Sequence, residues 1–218
     1  MVSLPCSYPL ARTSSTAKRG MRPDNPAKGV EHYEERGRRR YLTDEEAKKL
    51  FQVLDAQPNQ KAADVVKLLL RTGAREGETL QAKWADFDLQ AGMWRKPYDT
   101  TKTGEAHDLP LSADVVTMLK RMKAEAQSDL LFPGLPEAAL RYAWQSIRKR
   151  AGIPGVRLHD LRHSFASVAV SNGVDLYTVG KLLGHKSVQT TQRYAHLSVE
   201  AQKLAADKVA AALNKMAK

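Results

Sequence analysis

The chain has 218 residues, of which 42% are hydrophobic and 27% are charged, as in an ordinary globular domain. Its one cysteine excludes an internal disulfide framework and suits a reducing cytoplasm. No apolar run approaches the about 18 residues that a membrane-spanning helix needs, and the opening MVSLPCSYPL lacks the features of a secretory signal. We therefore expect a cytoplasmic protein that does not enter a membrane.

The charge balance narrows the class of partner. Lys and Arg number 35 against 24 Asp and Glu, which gives a formal net charge of +11. An excess of this size favours a polyanionic partner, with nucleic acid ahead of an anionic membrane surface. Charge alone is also compatible, as the less favoured alternative, with a basic surface that has no specialised role.

Residues 1–40 differ in composition from the rest of the chain. They are rich in Pro, Ser, Arg and Gly, which predicts a flexible or extended segment, and they end in the run RGRRR. The arginines of this run can simply be solvated, or they can follow the phosphates of a nucleic acid. In the second case the DNA-binding residues are Arg36, Arg38, Arg39 and Arg40.

Residues 41–218 carry mainly helical periodicity. Thr43 followed by Glu46 has the spacing of a capping box, which predicts a helix start. Segment 62–71 is apolar almost all round and predicts a buried helix, with Gly73 placed for a left-handed C-terminal residue. Further helices are predicted over about 75–82, 112–126, 137–151, 158–171, 176–183, 187–194 and 198–215.

Between residues 84 and 111 the pattern changes to three short runs, WADFDL, MWRKPY and AHDLPL. The breaks between them predict three antiparallel strands joined by tight turns. A sheet of this size cannot form a domain alone, so it must lie against the helices. We read Asp86 and Asp88, on the first strand, as solvent-facing residues and predict no metal site. The expected fold class is mainly α with a small three-stranded antiparallel β-sheet (α+β).

Six side chains are candidates for chemistry on a phosphate, although each has an ordinary structural explanation. An arginine at a helix start can pair with Glu78 at i+3, a turn lysine can be solvated, and a tyrosine can anchor its helix. A histidine and an arginine spaced i, i+3 can form a surface pair, and a histidine after a helix-ending glycine can be structural. The six are Arg75, Lys102, His159, Arg162, His185 and Tyr194.

Together the six make a complete set for cleaving a phosphodiester without a metal ion. The two arginines can hold non-bridging oxygens through paired N–H groups and offset the charge on a pentacoordinate phosphorus. Tyr194 can be a covalent nucleophile. Because a free tyrosine has a pKa of about 10, it needs a base or a positive field at neutral pH. Lys102 or a histidine can protonate the departing 5′ oxygen.

The segments that hold these residues resemble the tyrosine recombinase (phage integrase) family. TGAREGETL is similar to the first arginine box of that family, and TTKTGEAHDLPL to its β-hairpin lysine segment. LHDLRHSFAS is similar to the histidine-x-x-arginine box, and LLGHKSVQTTQRYAHLS to the segment with the last histidine and the nucleophile. The likeness runs from about residue 39 to residue 197 and includes all six positions.

The resemblance implies the catalytic-domain fold of these recombinases and the reaction that they share. A DNA strand is cleaved and rejoined through a 3′-phosphotyrosyl link, here on Tyr194, with release of a 5′-hydroxyl. The link keeps the energy of the phosphodiester bond, so neither ATP nor another cofactor is expected. Arg75, Arg162 and His185 would stabilise the phosphorane.

The remaining roles also follow from the resemblance. His159 would assist proton transfer from the tyrosine, and Lys102 would act as general acid. Glu78 would orient Arg75 from a second layer. The implied partner is double-stranded DNA, with a monomer in its absence and a tetramer on synapsed DNA. A bacterial or phage-encoded protein on nucleoid DNA is the expected setting.

The front of the chain departs from the family pattern. Relatives place a helical core-binding domain ahead of the catalytic domain, whereas RPDNPAKGVEHYEERGRRRYLTDEE resembles only its exit and the linker. We therefore divide the chain into an N-terminal remnant and basic linker, 1–40, and a catalytic domain, 41–218, that ends in helix 198–215. That helix can pack on its own domain or on a neighbouring protomer.

The sequence leaves two alternatives to a recombinase open. A type IB topoisomerase uses similar chemistry to relax supercoils without synapsis. A DNA-binding remnant without catalysis would agree with the shortened front, although the intact set of six residues argues against it.

Overall fold

The structure is a computed structural model that describes residues 40–98 and 106–216. Among the residues predicted to act on DNA, Arg36, Arg38, Arg39 and Lys102 lie outside this part. All described residues belong to one compact unit that begins at Arg40. No helix in the described part is both long and apolar enough to cross a membrane.

Helices dominate the described residues, and a three-stranded sheet interrupts them once, as the sequence predicted. The helices are α1 Asp44–Asp55, α2 Gln60–Thr72, α3 Glu76–Gln81, α4 Ala113–Ala124, α5 Glu137–Arg150, α6 Leu158–Ser171, α7 Leu176–Leu183, α8 Val188–Gln192 and α9 Ser198–Met216. The strands are β1 Phe87–Asp88, β2 Met93–Lys96 and β3 His107–Pro110.

Local side-chain chemistry sets several of the helix ends. The Thr43 hydroxyl accepts the Glu46 N–H at 3.2 Å, and the Glu46 carboxylate accepts the Thr43 N–H at 3.0 Å, so the predicted capping box is confirmed. Helix α2 ends at Gly73, which has φ +63° and donates its N–H to the Leu69 carbonyl at 2.9 Å. That left-handed conformation is the one predicted from the glycine.

Helix α2 is the centre of the core. It packs against α1, α3, α5 and α6, and its Val65, Val66 and Leu68 are completely buried. The prediction of a buried helix is confirmed, with one charged exception: Asp64 is buried and accepts a hydrogen bond from Arg121 on α4 at 3.0 Å. Burial from several sides explains why this helix is apolar almost all round.

The sheet has the order β1-β2-β3 and is antiparallel throughout. Trp94 on β2 lies opposite Phe87 and Leu109, stacks on the Phe87 ring at a centroid distance of 5.0 Å, and is buried. These three side chains join the same core as α2, so the sheet lies against the helices as expected.

Two local predictions need correction. Asp86 lies in a 3₁₀ turn, Trp84–Asp86, and not on a strand, because its carboxylate accepts the Lys83 N–H at 2.8 Å and closes that turn. The helix predicted over 187–194 is shorter, and Tyr194 lies in the turn that follows α8. There the Tyr194 N–H bonds to the Thr191 carbonyl at 3.0 Å, which is a turn and not a continuing α-helical pattern.

A second apolar cluster lies beneath this turn. Tyr194 packs with Ala166 and Val170 of α6 and with Val179 and Leu183 of α7. Helix α9 follows the 3₁₀ turn Ala195–Leu197 and packs partly on α6. The cluster therefore fixes the tyrosine by packing, independently of any chemistry that it performs.

Gly73 offers a test of how tightly α2 meets this second cluster. A Cβ at this position would lie 2.6 Å from Leu183 Cδ2 and 2.7 Å from Phe165 Cδ1, in addition to the strain of a positive φ. We predict that Gly73→Ala lowers the free energy of unfolding by about 2–4 kcal/mol, as the sum of backbone strain and overpacking. Urea denaturation measures this loss.

Gly152→Ala is the matched control, because Gly152 has φ +72° and a Cβ there would meet nothing within 4 Å. It should lose only the strain of about 1–2 kcal/mol. Equal losses in the two variants would contradict the close approach at Gly73.

Candidate active site

A cleft of about 510 Å³ opens where the ends of α2, α6 and α7 meet the turn after α8. Five of the six residues selected from the sequence line it, whereas the sixth, Lys102, lies outside the described residues. None of the described residues that line the cleft is Asp or Glu. The five are Arg75, His159, Arg162, His185 and Tyr194.

Arg162 is the most buried cation of the cleft, with 5% of its surface exposed. Its two terminal nitrogens donate to the carbonyls of Gly73 and Leu183, each at 2.6 Å. These carbonyls lie at the ends of α2 and α7, where the helix dipole favours a positive charge. Burial, with repulsion from Arg75, lowers the pKa of Arg162 to about 10, so the guanidinium stays charged at neutral pH.

Arg75 is held by Glu78, as the i, i+3 spacing suggested. Glu78 Oε1 accepts from the Arg75 guanidinium at 2.5 Å, and Oε2 accepts from the buried Lys96 ammonium at 2.8 Å. Burial opposes ionisation of Glu78, but Lys96 and Arg75 together hold the pKa of its carboxyl below the usual value. One buried carboxylate thus ties the sheet to the start of α3.

Lys96 was missed in the sequence because it occupies a strand position that reads as a solvated lysine. Its Nζ lies 4.3 Å from the centroid of the Trp94 ring, and only 3% of the residue is exposed. Burial lowers the pKa of the ammonium, and the charge of Glu78 counters this shift. Only the tertiary fold, which brings Glu78 beneath β2, accounts for a lysine at this position.

His185 follows the glycine that ends α7, as predicted, but it is half-buried and not on an exposed corner. Its Nδ1 lies 2.8 Å from the hydroxyl of Thr191, which is itself buried. Burial, followed by the charges of Arg162 and Arg75, lowers the pKa of His185 to about 4. The ring is therefore neutral at pH 7 and can donate from one nitrogen only.

Tyr194 is 4% exposed, and its hydroxyl lies 2.5 Å from Nδ1 of His163. Burial raises the pKa of the tyrosine, against the opposing charges of Arg193 and Arg162. His163 also lines the cleft and was not selected from the sequence, although it lies one helical turn after His159. That i, i+4 spacing was the available signal.

The sheet reaches the same region through His107 on β3. Its Nε2 donates to the Lys181 carbonyl at 2.7 Å, and its ring lies against Gly184, the residue before His185. Burial lowers the pKa of His107. Because Lys102 stands between β2 and β3 in the sequence, this contact anchors one of the strands that flank it.

The other predictions have mixed outcomes. Arg40 lies within the described part, where both of its terminal nitrogens bond to Glu46, and its contact with DNA stays a prediction. Asp88 accepts the N–H groups of Gln90 and Ala91 and pairs with Arg95. Among the residues that the structure describes, no group of three or more His, Cys, Asp or Glu is placed to hold a metal ion.

Solved structures of tyrosine recombinases share this fold. The crystal structure of XerA recombinase matches with a TM-score of 0.63 at 28% identity, over 77% of this chain and 64% of that one. XerH recombinase bound to difH substrate in a pre-cleavage complex matches with a TM-score of 0.62 at 28% identity, over 71% and 49%. The catalytic domain of bacteriophage HP1 integrase gives 0.62 at 25% identity, over 77% and 93%. The fold is that of a tyrosine recombinase catalytic domain.

The sequence comparison agrees with the fold. The chain belongs to the phage integrase family, which it matches over residues 40–201. It is 35% identical to tyrosine recombinase XerA of Saccharolobus solfataricus, over 68% of this chain and 50% of that recombinase. It is 32% identical to the integrase of Escherichia phage P2, over 81% and 49%. The chain thus spans about half the length of these curated relatives.

The contact between Thr191 and His185 gives a test of the site that does not depend on activity. If the Thr191 hydroxyl donates to Nδ1, the neutral ring must carry its proton on Nε2. We predict that Thr191→Val removes the preference of His185 for the Nε2–H tautomer. It should also lower the free energy of unfolding by about 1–2 kcal/mol, because Nδ1 of His185 loses its hydrogen-bond donor. Nitrogen-15 NMR of the histidine rings reports the tautomer, and denaturation reports the stability.

Thr191→Ser keeps the hydroxyl and should keep the Nε2–H tautomer. A His185 tautomer that is the same in the valine variant as in the wild type would show that Thr191 does not set it.

Proposed function

We propose that this protein is a site-specific DNA recombinase that cleaves and rejoins one strand at a time through a 3′-phosphotyrosyl link on Tyr194. The observation that carries the proposal is the convergence of Arg75, Arg162, His185 and Tyr194 on one cleft, where no lining residue that the structure describes is acidic. Membership of the phage integrase family supports the same reaction.

The cleft has the electrostatics that a phosphodiester requires. One N–H of each terminal nitrogen of Arg162 donates to a carbonyl. Because a guanidinium has five N–H donors, three more remain that can donate to phosphate oxygens. Arg75 brings a second planar cation, which Glu78 holds in place. Donors that are fixed before the reaction stabilise charge that develops on phosphorus without reorganising.

The remaining roles are assigned by resemblance and form part of the proposal. Arg75, Arg162 and the neutral His185 bind the non-bridging oxygens, and Glu78 positions Arg75. Lys102 protonates the departing 5′ oxygen, and His159 assists the removal of the tyrosine proton. The covalent link conserves the bond energy, so a 5′-hydroxyl can attack it and reseal the strand without ATP or a metal.

Double-stranded DNA is the proposed partner. The net charge of +11 supports it, as do the relatives, among which XerH was crystallised with its difH substrate. We further propose a monomer without DNA, a tetramer on synapsed DNA, and phosphate contacts from Arg36, Arg38, Arg39 and Arg40. A bacterial cytoplasm, with the protein on nucleoid DNA, is the proposed location.

A suicide duplex tests the reaction directly. Nicked duplexes that tile the DNA flanking the gene are incubated with the protein, and a cut near the nick releases a short fragment that cannot rejoin. We predict a protein–DNA adduct that resists denaturation, is lost in Tyr194→Phe, and persists in Tyr177→Phe. Tyr177 is the matched control, because it is 64% exposed on α7 and lies outside the cleft.

The other outcomes separate the alternatives. An adduct that persists in Tyr194→Phe would show that another residue is the nucleophile. Salt-dependent DNA binding without any adduct would indicate a non-catalytic remnant. Relaxation of a plasmid that carries no special site would indicate activity of the type IB topoisomerase kind.

A further inference from the structure

The nucleophile proposed above already has a hydrogen-bond partner. The Tyr194 hydroxyl lies 2.5 Å from Nδ1 of His163, and the two rings are inclined at 49° with centroids 6.0 Å apart. The ring of His159 meets the ring of His163 edge-on at a centroid distance of 4.9 Å. The three side chains form a row in which His163 stands between His159 and the tyrosine.

We infer that His163 is the group that takes the proton from Tyr194 when the tyrosine attacks DNA, and that it returns the proton when the strand is rejoined. The inference rests on the proposed function, and it gives His163 a direct role that the family resemblance attached to His159. His163 qualifies as a catalytic residue because it contacts the reacting oxygen itself.

In the proposed step, Tyr194 loses its proton to His163 as its oxygen attacks phosphorus. The O–H bond of Tyr194 breaks, its proton moves to Nδ1 of His163, and its electron pair stays on the phenolic oxygen. That oxygen forms a bond to phosphorus while the bond from phosphorus to the 5′ oxygen breaks. The 5′ oxygen keeps that electron pair and takes a proton from Lys102. His163 becomes an imidazolium, which re-protonates the tyrosine in the reverse step.

Geometry favours His163 over His159 for this transfer. A general base must lie within hydrogen-bond reach of the atom that gives up its proton, at no more than about 3.2 Å, or reach it through one water. His163 meets this condition, because its Nδ1 lies 2.5 Å from the Tyr194 hydroxyl, and among the described residues this is the side-chain hydrogen bond that the hydroxyl makes. To accept at Nδ1, the neutral ring must carry its own proton on Nε2.

The surrounding charges keep the proton on the tyrosine until DNA arrives. The titratable and charged groups that act electrostatically on His163 are His159, Asp160 and Arg162 on its own helix, His185 after α7, and Arg193 beside the tyrosine. Burial, then His159 and Arg193, lowers the pKa of His163 to about 4, and burial raises the pKa of Tyr194.

A phosphate in the cleft would change this balance. Its negative charge opposes the fields of Arg162 and Arg193 and stabilises a protonated His163. Binding of the substrate therefore favours proton transfer from the nucleophile to His163.

The test uses the suicide duplex under single-turnover conditions. His163→Asn can still hydrogen-bond the tyrosine through its amide but cannot accept a proton, so we expect cleavage at pH 7 to fall about 10²- to 10⁴-fold with DNA affinity unchanged. His196→Ala is the control, since this exposed histidine lies two residues past the tyrosine and outside the cleft. It should cleave at the wild-type rate.

Two further measurements separate proton transfer from a structural role. Cleavage by His163→Asn should rise with pH above neutrality, because hydroxide replaces the lost base, while the wild-type rate levels off once His163 is deprotonated. Added imidazole should restore part of the activity of His163→Ala, and none of that of Tyr194→Phe.

Other results would overturn either the role of His163 alone or the proposed function as well. Wild-type cleavage by His163→Asn would overturn the assignment while leaving the proposed function intact. So would a loss that neither imidazole nor high pH restores, or a loss confined to His159→Asn. Absence of an adduct from the wild-type protein would overturn the proposed function and this inference together.

Discussion

The buried guanidinium of Arg162 is the interaction on which the arrangement of the cleft depends. It donates hydrogen bonds to two carbonyls, those of Gly73 and Leu183, each 2.6 Å from a different terminal nitrogen. Each carbonyl lies at the C-terminal end of a helix that is followed by a glycine in the left-handed conformation. These glycines are Gly73 after α2 and Gly184 after α7. A single side chain of α6 thus joins the ends of two other helices.

The consequence for the site follows from chain geometry. Arg75 comes two residues after the first of these carbonyls, and His185 comes two residues after the second. Whatever fixes the carbonyls therefore also fixes where these two side chains emerge. Around this centre, Glu78 with Lys96 holds Arg75, and Thr191 holds His185. Arg75 and His185 are thus each positioned by a buried polar side chain behind them.

Several parts of this arrangement could be read from the sequence because local patterns determine them. The capping box at Thr43, the left-handed Gly73 and the all-round burial of α2 depend on residues close together in the chain. The pairing of Arg75 with Glu78 is also local, since the two are three residues apart. The likeness of four short segments to one family predicted which side chains would meet in the cleft.

The rest could not be read because it depends on contacts between distant segments. Lys96 resembles any strand lysine until the fold buries it against Glu78, 18 residues away in the chain. His163 gains its importance from Tyr194, 31 residues later. The helix predicted to reach Tyr194 stops early, because the tyrosine turns back to pack on α6 and α7. Tertiary packing overrides local propensity at these places.

The most direct measurement of this account compares Arg162→Lys with Arg95→Lys, an exchange at an exposed arginine paired with Asp88. Lysine keeps the charge of Arg162 but lacks the planar fork that reaches two carbonyls. We predict that Arg162→Lys loses about 1–3 kcal/mol of unfolding free energy, because a buried carbonyl is left unsatisfied, and that it no longer forms the adduct. Arg95→Lys should stay within about 0.5 kcal/mol of the wild type. An Arg162→Lys protein as stable and as active as Arg95→Lys would show that the two carbonyl contacts of Arg162 do not hold the cleft together.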